Sequence, residues 1–505
     1  MPIGTAQDTA TSTGPPVAWV PVSLVAGATG LLLLLTSGRY GYHRDELYFL
    51  TAGRHLDWGY IDQPPLTPAL ARLLDELFPG SLVMLRLPST LAAVAMVLLA
   101  GLLARELGGG RTAQLVAATC WAGSGLVLGS SHLLSTTTLD LLFAMVLSWL
   151  LLRWLNTGEQ RVWLAMGAVL GVGLWNKYTL VLVAIGLLGG VAVAGPRDAL
   201  RTIWPYAGGA VALLVWLPNL IWQAANGWPQ LDMAAEISDQ GEFGGRFGAI
   251  PFQLILIGPP IAAILIAGLV RLLRTPDARR YRCLGWAYLI VVGLVLLTGG
   301  KPYYASGLAP VLLAAGGVAV EGWLRRSRTP SWRNALVIAA VAANIAASIA
   351  IALPVWPLSW LPDTPQAAAN YDALETVGWP ELVRAVAEVR DALPDGENAT
   401  ILTGNYGEAG AIDRFGGAYG LPRGYSGHNA YWTWGPPPDT ATGPVIVVGY
   451  GGAERLSGWC TEVEPLRRID TPHGIENDED GAIIWVCRGL HRPWSAIWPE
   501  VAALG

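Results

Sequence analysis

The sequence contains a series of apolar runs, and each is about as long as a helix that crosses a bilayer. A transmembrane helix needs ~20 predominantly apolar residues. About eleven such runs are present, at residues 17–36, 82–104, 112–130, 133–152, 162–176, 178–194, 204–222, 250–270, 283–299, 304–320 and 334–353. The two runs on either side of Asn176 are short, and we predict a broken or tilted pair there. Only 14% of the 505 residues are charged, which is well below the ~25% of soluble domains. The sequence therefore predicts an α-helical polytopic membrane protein.

The loops between these runs alternate in charge. One set is rich in arginine and holds 15 Arg and 5 acidic residues, at 105–111, 153–161, 195–201, 271–282 and 321–333. The other set, at 37–81, 130–135, 223–249 and 299–304, is acidic or mixed. Because arginine-rich loops stay in the cytoplasm, the loop 37–81 is predicted to lie outside. Residues 1–16 are small and polar, and they are predicted to form a disordered cytoplasmic lead.

The C-terminal part of the chain differs in composition from the rest. Residues 360–505 hold 20 acidic residues and 9 Arg, whereas the remainder holds 17 acidic and 23 basic residues. A helical period at 381–393 and three short β-rich runs flanked by glycine indicate an α/β domain. We therefore divide the chain into a transmembrane domain at 17–359 and an extracytoplasmic domain at 360–505. Outside the cytoplasm, Cys460 and Cys487 would be able to form a disulfide.

The outer loop 37–81 contains the strongest candidates for acid–base chemistry. Asp45 and Glu46 are adjacent and follow the first apolar run directly. A desolvated carboxylate beside a like charge has a raised pKa and is able to act as a general base. The alternative for either residue is an ordinary solvated loop acid. Tyr60 and Asp62, in the segment DWGYIDQPP, either line a pocket for the acceptor or the sugar, or belong to a short interfacial helix.

Asp140 is the acidic residue that lies well inside an apolar run, in STTTLDLLFAMVL. Carboxylates within a membrane are costly and usually face a cavity or a partner. By the loop topology Asp140 lies near the outer end of its helix, on the same side as Asp45. The alternative is a helix-end acid that bonds neighbouring threonines.

Lysine is almost absent: 30 of the 32 basic residues are arginine, and the two lysines are Lys177 and Lys301. Both lysines are predicted at outer ends of spans, where the charge rule does not place a base. A compact ammonium at that level is able to hold a lipid phosphate, with Arg44 and Tyr303 nearby. The alternative is that both lysines extend towards the lipid headgroups.

Two further features bear on ligands. The segment 424–435 is crowded with aromatic and hydrogen-bonding side chains that suit a sugar, among them His428, Tyr431 and Trp432, although an ordinary loop on the membrane surface would look the same. The six histidines all fall in predicted outer regions and, with Asp45 or Glu46, would be able to bind a divalent ion, but no ligand spacing is diagnostic of a metal site. No cofactor is indicated with certainty, and a divalent metal stays open. The net charge of −5 argues against nucleic acid as a partner.

Taken together, these motifs resemble bacterial members of glycosyltransferase family 39, which includes protein O-mannosyltransferases and lipid A aminoarabinose transferases. The resemblance rests on Asp45-Glu46 with the following HLDWGYIDQPPLTP segment, on Asp140, and on the Lys301-Pro-Tyr-Tyr turn. It implies the GT-C fold, a polyprenyl-phosphate sugar as donor, and an acid after the first span as the base. It also implies inversion at the anomeric carbon. The short tail differs from that of eukaryotic O-mannosyltransferases, so a glycan, lipid or protein acceptor stays open.

The sequence is therefore interpreted as a multipass glycosyltransferase of the bacterial cytoplasmic membrane that transfers a hexose or pentose to a hydroxyl on the outer face. In this interpretation Asp45 is the base, and Glu46 and Asp140 orient the acceptor or tune Asp45. Lys301, Lys177, Arg44 and Tyr303 hold the donor phosphate. Two alternatives are a transporter or lipid flippase, which would show repeated halves and charges near the midplane, and a non-catalytic sugar-binding relative.

Overall fold

The computed structural model describes residues 14–240, 245–326 and 331–505, without the side chains of residues 239, 240 and 245–247. Residues 1–13 of the predicted lead lie outside this part of the chain. The described residues form a bundle of apolar helices followed by a smaller domain with a mixed sheet. The helices of the first part are α1 Trp19–Thr36, α2 Arg44–Arg54, α3 Leu66–Leu77, α4 Leu82–Glu106, α5 Arg111–Ala122, α6 Gly125–His132, α7 Thr136–Thr157, α8 Val162–Gly173, α9 Leu180–Ala194, α10 Trp204–Ala225, α11 Pro229–Gln240, α12 Gly245–Ile257, α13 Ala262–Arg274, α14 Arg282–Thr298, α15 Ala309–Arg325 and α16 Ser331–Ala352.

The prediction of a polytopic helical membrane protein is confirmed, but the number of spans is smaller than predicted. Among the described residues, seven helices are long and apolar enough to cross a membrane, and two bent pairs, α5 with α6 and α12 with α13, bring the number to nine. The sequence predicts about eleven because it counts α8 and α9, which have only 12 and 15 residues. At 1.5 Å per residue they cover about 18 Å and about 22 Å, less than the ~30 Å hydrocarbon core.

The two bent pairs are held together by one side chain of α16. A bend leaves carbonyls without their helical partners, and a polar side chain has to satisfy them inside a membrane. Asn344 Nδ2 donates to the carbonyl of Gly123 (2.8 Å) at one bend and to that of Ile257 (3.3 Å) at the other. Gly258 follows with φ +119°, and a Cβ there would lie 1.8 Å from Asn344 Oδ1. Both bends are thereby fixed relative to α16.

The two ends of the bundle have different partners. At the end with the arginine-rich loops, Arg105 donates to the carbonyl of Pro15 (2.9 Å) and Gln114 to that of Pro16 (3.0 Å). The start of the described chain therefore lies at the arginine-rich end. The opposite end, which we call the domain end, carries α2, α3 and the C-terminal domain.

The C-terminal domain is built on a five-stranded sheet of order β2-β1-β3-β5-β4. β1, β2 and β3 are parallel, and β5 and β4 are antiparallel to their neighbours. Cys460 of β4 and Cys487 of β5 are joined by a disulfide. The strands are β1 Thr400–Thr403, β2 Gly424–Ser426, β3 Val445–Val448, β4 Cys460–Arg468 and β5 Ile483–Leu490. The helices are α17 Pro365–Ala369, α18 Tyr371–Leu374, α19 Trp379–Ala392, α20 Tyr406–Phe415, α21 Ala430–Thr433, α22 Ala453–Ser457 and α23 Trp494–Val501.

The outer-loop helix α2 belongs to the core of the C-terminal domain. Leu47, Tyr48 and Phe49 are buried in the same hydrophobic cluster as Trp379 and Ile412. The contact between α2 and α20 is close, since a Cβ at Gly410 would lie 2.8 Å from the Cβ of Leu47. Burial of about five such large side chains stabilises the contact by roughly 1.5–3 kcal/mol each. The first outer loop and the C-terminal domain therefore form one unit at the domain end.

A fully buried ion pair connects this unit to the bundle. Arg86 of α4 and Glu46 of α2 are both 0% exposed, and the guanidinium binds the carboxylate through Nε (2.8 Å) and Nη2 (2.7 Å). The remaining donors of Arg86 reach the carbonyls of Ser37 and Gly41, both at 2.7 Å, and His132 at 3.4 Å. Glu46 also accepts from the backbone N–H groups of His43 (2.9 Å) and Leu134 (2.8 Å). One pair thus positions α2, α4 and the link between α6 and α7.

Removal of Arg86 is expected to destabilise the protein strongly. Arg86→Met leaves Glu46 buried without its counter-charge, which typically costs about 3–5 kcal/mol. Thermal and denaturant unfolding of the detergent-solubilised protein measures this effect.

Arg492→Met is the matched control, because Arg492 and Glu500 form a similar two-point contact on the exposed surface. Its effect on the unfolding midpoint should be far smaller, since solvent screens exposed pairs. Equal midpoints for Arg86→Met and wild type would contradict this account.

Candidate active site

A cavity of about 1670 Å³ lies where the domain end of the bundle meets the C-terminal domain. Its polar part is lined by residues from both sides of this boundary, among them Asp45, Asp62, Lys177, Lys301 and Tyr406. Its other part reaches down between the helices and is lined by apolar residues such as Leu126, Leu182, Ile255, Leu256 and Ile351. One end of the cavity therefore suits a charged or sugar group and the other suits a hydrocarbon chain.

Asp45 is presented to the cavity from the first turn of α2. The helix begins with a capping box in which His43 Nδ1 accepts from the Asp45 N–H (3.2 Å). The side chain of Asp45 is 46% exposed to the cavity, and its Oδ1 accepts from the hydroxyl of Tyr406 at 2.8 Å. Burial raises the pKa of Asp45, but His43, Arg44 and the Tyr406 hydrogen bond outweigh it and hold the pKa below its ordinary value. The carboxylate is therefore ionised at neutral pH and is available to accept a proton.

Arg44 also lines the cavity, but its charge is already balanced by the C-terminal domain. Its Nη1 lies 3.5 Å from Asp478 Oδ2 and 3.9 Å from Glu375 Oε2. The Glu375 side chain is 0% exposed, so this neighbour is fixed. The arrangement makes Arg44 a link between α2 and the C-terminal domain. That Arg44 also holds the donor phosphate stays a prediction.

Asp62 lies on the cavity wall and is held by an aromatic side chain of α2. The Tyr48 hydroxyl donates to Asp62 Oδ1 at 2.7 Å and accepts from the Ala430 N–H at 3.2 Å. Burial raises the pKa of Asp62 to about 7, although the hydrogen bond from Tyr48 acts in the opposite direction. Asp45 and Asp62 therefore offer the cavity two carboxyl groups with clearly different acidities.

Lys177 projects into the cavity from the break between α8 and α9. Asn176 fixes the break, because it accepts from Thr67 Oγ1 (2.9 Å) and donates to the carbonyl of Thr136 (2.8 Å). Lys177 Nζ donates to Thr137 Oγ1 (3.1 Å) and lies 5.0 Å from the centre of the Tyr303 ring. The ammonium thus rests on an aromatic surface and has donors left for an anion.

Lys301 and Tyr303 line the same cavity from the turn that precedes α15. Lys301 ends the link after α14 and is close enough to Asp45 to favour its ionised form. Tyr303 packs edge-to-face against Tyr304, with ring centres 5.0 Å apart. Both lysines of the chain therefore meet at one cavity, although 124 residues separate them in the sequence.

Glu46 and Asp140 do not lie on the cavity wall. Glu46 is buried against Arg86, so its charge is used inside the protein. Asp140 Oδ2 accepts from Thr179 Oγ1 at 2.9 Å, two residues beyond Lys177. In the structure Glu46 fixes α2 and Asp140 fixes the segment that carries Lys177. That these two residues orient the acceptor or tune Asp45 stays a prediction.

Four aromatic or polar residues that are predicted to bind the acceptor or sugar have hydrogen bonds within the protein, and their role towards a ligand stays a prediction. The Tyr60 hydroxyl donates to the carbonyl of Ala52 (2.8 Å), and Tyr431 bonds Thr51 (3.0 Å) and Asp413 (2.9 Å) within the α2 contact. His428 Nε2 lies 2.8 Å from the Gly505 carbonyl, and Trp432 Nε1 donates to the carbonyl of Trp498 (3.1 Å). Of these four residues, Tyr431 bonds α2 from the C-terminal domain, whereas His428 and Trp432 bond residues within that domain.

Tyr406 and Arg86 are two residues that the sequence analysis missed. Arg86 carried a signal, since it is a charge inside the apolar run 82–104 and such a charge requires a partner. Tyr406 carried none, because it lies 361 residues from Asp45 and its role depends on how the C-terminal domain docks. For a metal, the part of the chain that the structure describes contains no group of three or more His, Cys, Asp or Glu side chains arranged to bind one.

Comparison with known proteins supports the resemblance that the motifs suggest. Residues 62–222 match the model of the dolichyl-phosphate-mannose-protein mannosyltransferase family. This segment contains Asp62, Asp140 and Lys177. A search of curated protein sequences finds no match.

Solved structures extend the likeness to nearly the whole chain. ArnT from Cupriavidus metallidurans, bound to undecaprenyl phosphate, is 15% identical with a TM-score of 0.58, over 92% of this chain and 97% of ArnT. The arabinofuranosyltransferase AftD from Mycobacteria is 15% identical with a TM-score of 0.53, over 94% of this chain and 40% of AftD. AglB, an oligosaccharyltransferase from Archaeoglobus fulgidus in complex with an inhibitory peptide and a dolichol-phosphate, is 13% identical with a TM-score of 0.50, over 78% of this chain and 63% of AglB. The predicted GT-C fold is thereby confirmed.

Proposed function

We propose that this protein is a membrane glycosyltransferase that moves a sugar from a polyprenyl-phosphate donor to an acceptor hydroxyl. The observation that carries the proposal is the combination, in one cavity, of the carboxylate of Asp45 with the ammonium of Lys177. The cavity continues into an apolar wall among the helices. The fold shared with ArnT, a protein bound to undecaprenyl phosphate, supports the same conclusion.

The donor phosphate is assigned to the lysine side of the cavity. A polyprenyl-phosphate sugar carries one negative charge, and the phosphate gains a second as the bond to the sugar breaks. Lys177 and Lys301 stabilise this developing charge more than the charge of the bound donor, which lowers the barrier. The ring of Tyr303 packs against the ammonium of Lys177, with Nζ 5.0 Å from the ring centre. The lipid chain occupies the apolar part of the cavity, in contact with Leu182 and Ile255.

The acceptor is assigned to the Asp45 side. Asp45 removes the proton from the acceptor hydroxyl, and the oxygen attacks the anomeric carbon as the phosphate leaves. Direct displacement of this kind inverts the anomeric configuration. Asp62, on the same wall, contacts the sugar or acceptor hydroxyls. The matched family is described as a mannosyltransferase family and AftD is an arabinofuranosyltransferase, and both descriptions support the proposal that the transferred group is a hexose or pentose.

The position of the charges favours a transferase over a transporter. A transporter of this size is expected to place its binding site near the bilayer midplane. Here Lys177 lies just before α9, Lys301 just before the turn that leads into α15, and Asp45 outside α1. All three are at helix ends on the side of the C-terminal domain. The location assigned to the reaction is the outer face of the bacterial cytoplasmic membrane, where lipid-linked donors replace nucleotide sugars.

Replacement of Asp45 tests the assignment of the base. Asp45→Asn keeps the shape and the ability to accept from Tyr406 but removes the basic oxygen, and the rate should fall by about 10²–10⁴. The measurement is the release of polyprenyl phosphate from polyprenyl-phosphate mannose and polyprenyl-phosphate arabinose, with a cell-envelope extract as acceptor.

Asp57→Asn is the matched control. Asp57 belongs to the same outer loop, but it bonds Trp222 on the exposed surface and has no place in the reaction. Its variant should transfer sugar at nearly the wild-type rate. Equal rates for Asp45→Asn and wild type would move the base to another residue.

Orientation in the membrane is tested with single cysteines at exposed positions. In intact spheroplasts, Thr440→Cys in the C-terminal domain should react with an impermeant maleimide, whereas Glu159→Cys in an arginine-rich loop should react only after permeabilisation. The native Cys120 and Cys283 are buried and give little background. The reverse labelling pattern would place the cavity on the cytoplasmic side and would refute a lipid-linked donor at the outer face.

A further inference from the structure

Tyr406 is the residue through which the C-terminal domain reaches the cavity. It is the first residue of α20, and its hydroxyl donates to Asp45 Oδ1 at 2.8 Å. Its ring packs between those of Tyr48 and His428, with ring centres 4.8 Å away in each case. The side chain is thus held by two neighbouring rings while its hydroxyl donates to the carboxylate.

The backbone that carries Tyr406 is fixed as firmly as its ring. A capping box starts α20: Asn405 Oδ1 accepts from the Glu408 N–H (2.9 Å), and Glu408 Oε2 accepts from the Asn405 N–H (3.1 Å). Next to Tyr406, Gly407 allows close contact with α2, because a Cβ there would lie 2.8 Å from the Cβ of Arg44. The start of α20 therefore has one position relative to Asp45.

We propose that Tyr406 is a positioning residue for Asp45, and that the C-terminal domain completes the active site through it. The hydrogen bond occupies Oδ1 and fixes the plane of the carboxylate, so that Oδ2 is the oxygen that receives the proton of the acceptor. This inference rests on the proposed function, since it assigns Tyr406 a role in the same reaction.

The charges and protons around Asp45 support this role. The titratable and charged groups that face Asp45 are His43 and Arg44 on its own segment, Tyr406 of α20, His428 beyond β2, Lys301 before α15, and Asp62 and Tyr303 across the cavity. Burial, together with the charge of Asp45, raises the pKa of Tyr406 well above its ordinary value, so its hydroxyl stays protonated. A donor that always carries its proton stabilises the ionised form of Asp45.

The test is Tyr406→Phe, which keeps the ring and removes the hydroxyl. Without the hydrogen bond the ionised form of Asp45 loses a favourable contact, so the pKa of Asp45 rises. We expect kcat to fall about 10-fold to 100-fold, as for loss of a hydrogen bond to a charged group. The acid limb of the pH profile of kcat/KM should move to higher pH, and KM for the polyprenyl-phosphate sugar should stay the same.

A second measurement does not depend on sugar transfer. A carbodiimide modifies protonated carboxyl groups, and peptide mass spectrometry reports modification of Asp45 as a function of pH. In Tyr406→Phe this modification should extend to higher pH than in wild type. If the wild-type protein transfers no sugar, the proposed function fails, while the labelling still decides whether Tyr406 controls Asp45.

Two further variants complete the design. Tyr42→Phe removes another tyrosine hydroxyl of the same boundary, which accepts from Arg414 (3.0 Å) without contact to Asp45, and it should leave the acid limb and the labelling curve in place. If Tyr406→Phe does not fold, 3-fluorotyrosine at position 406 keeps the hydrogen bond and makes the donor more acidic, so the labelling curve should move to lower pH. An unchanged labelling curve in the variant that folds would overturn the proposal.

Discussion

The ion pair between Arg86 and Glu46 determines how the domain end of the protein is assembled. A charge inside an apolar helix is tolerated only when it is paired and its hydrogen bonds are complete. Arg86 meets this condition with one carboxylate, two backbone carbonyls and His132. Glu46 is the residue after Asp45, so the pair that anchors α2 also fixes the direction in which Asp45 points. The adjacent acids thus have separate functions: one is buried for structure, and the other faces the cavity.

The C-terminal domain has the complementary role of closing the site from the other side. Its core is continuous with α2, its Glu375 and Asp478 balance Arg44, and its Tyr406 bonds Asp45. On the lysine side, Lys177 is fixed by Thr137 of α7 and by the break at Asn176 between α8 and α9. The proposed reaction centre therefore lies between two parts of the chain that are far apart in sequence.

The sequence predicts local features better than contacts between distant segments. The apolar runs, the helical period at 381–393 and the β-rich runs predict the apolar helices, α19 and three of the five strands, because these features depend on periodicity within one segment. Asp45 stands out because it is one of two adjacent acids directly after an apolar run. Lys177 and Lys301 stand out because the charge rule does not place a base at the outer end of a span. Glu46 and Asp140 are also unusual acids beside or inside apolar runs. Their partners Arg86 and Thr179 are visible only in the structure. The bonds of Tyr431 and Tyr406 depend on domain docking, which no local pattern encodes.

The central claim is that this cavity binds a lipid-linked phosphate through Lys177, and equilibrium binding tests it most directly. Undecaprenyl phosphate is titrated into the detergent-solubilised wild type and into Lys177→Met, which removes the ammonium but keeps most of the apolar stem. We expect Lys177→Met to bind undecaprenyl phosphate at least about tenfold more weakly than the wild type, as for loss of a hydrogen bond from a charged group. Lys177→Arg should restore only part of the affinity, because the planar guanidinium of arginine replaces a compact ammonium. Equal affinities of the wild type and Lys177→Met for undecaprenyl phosphate would contradict the central claim.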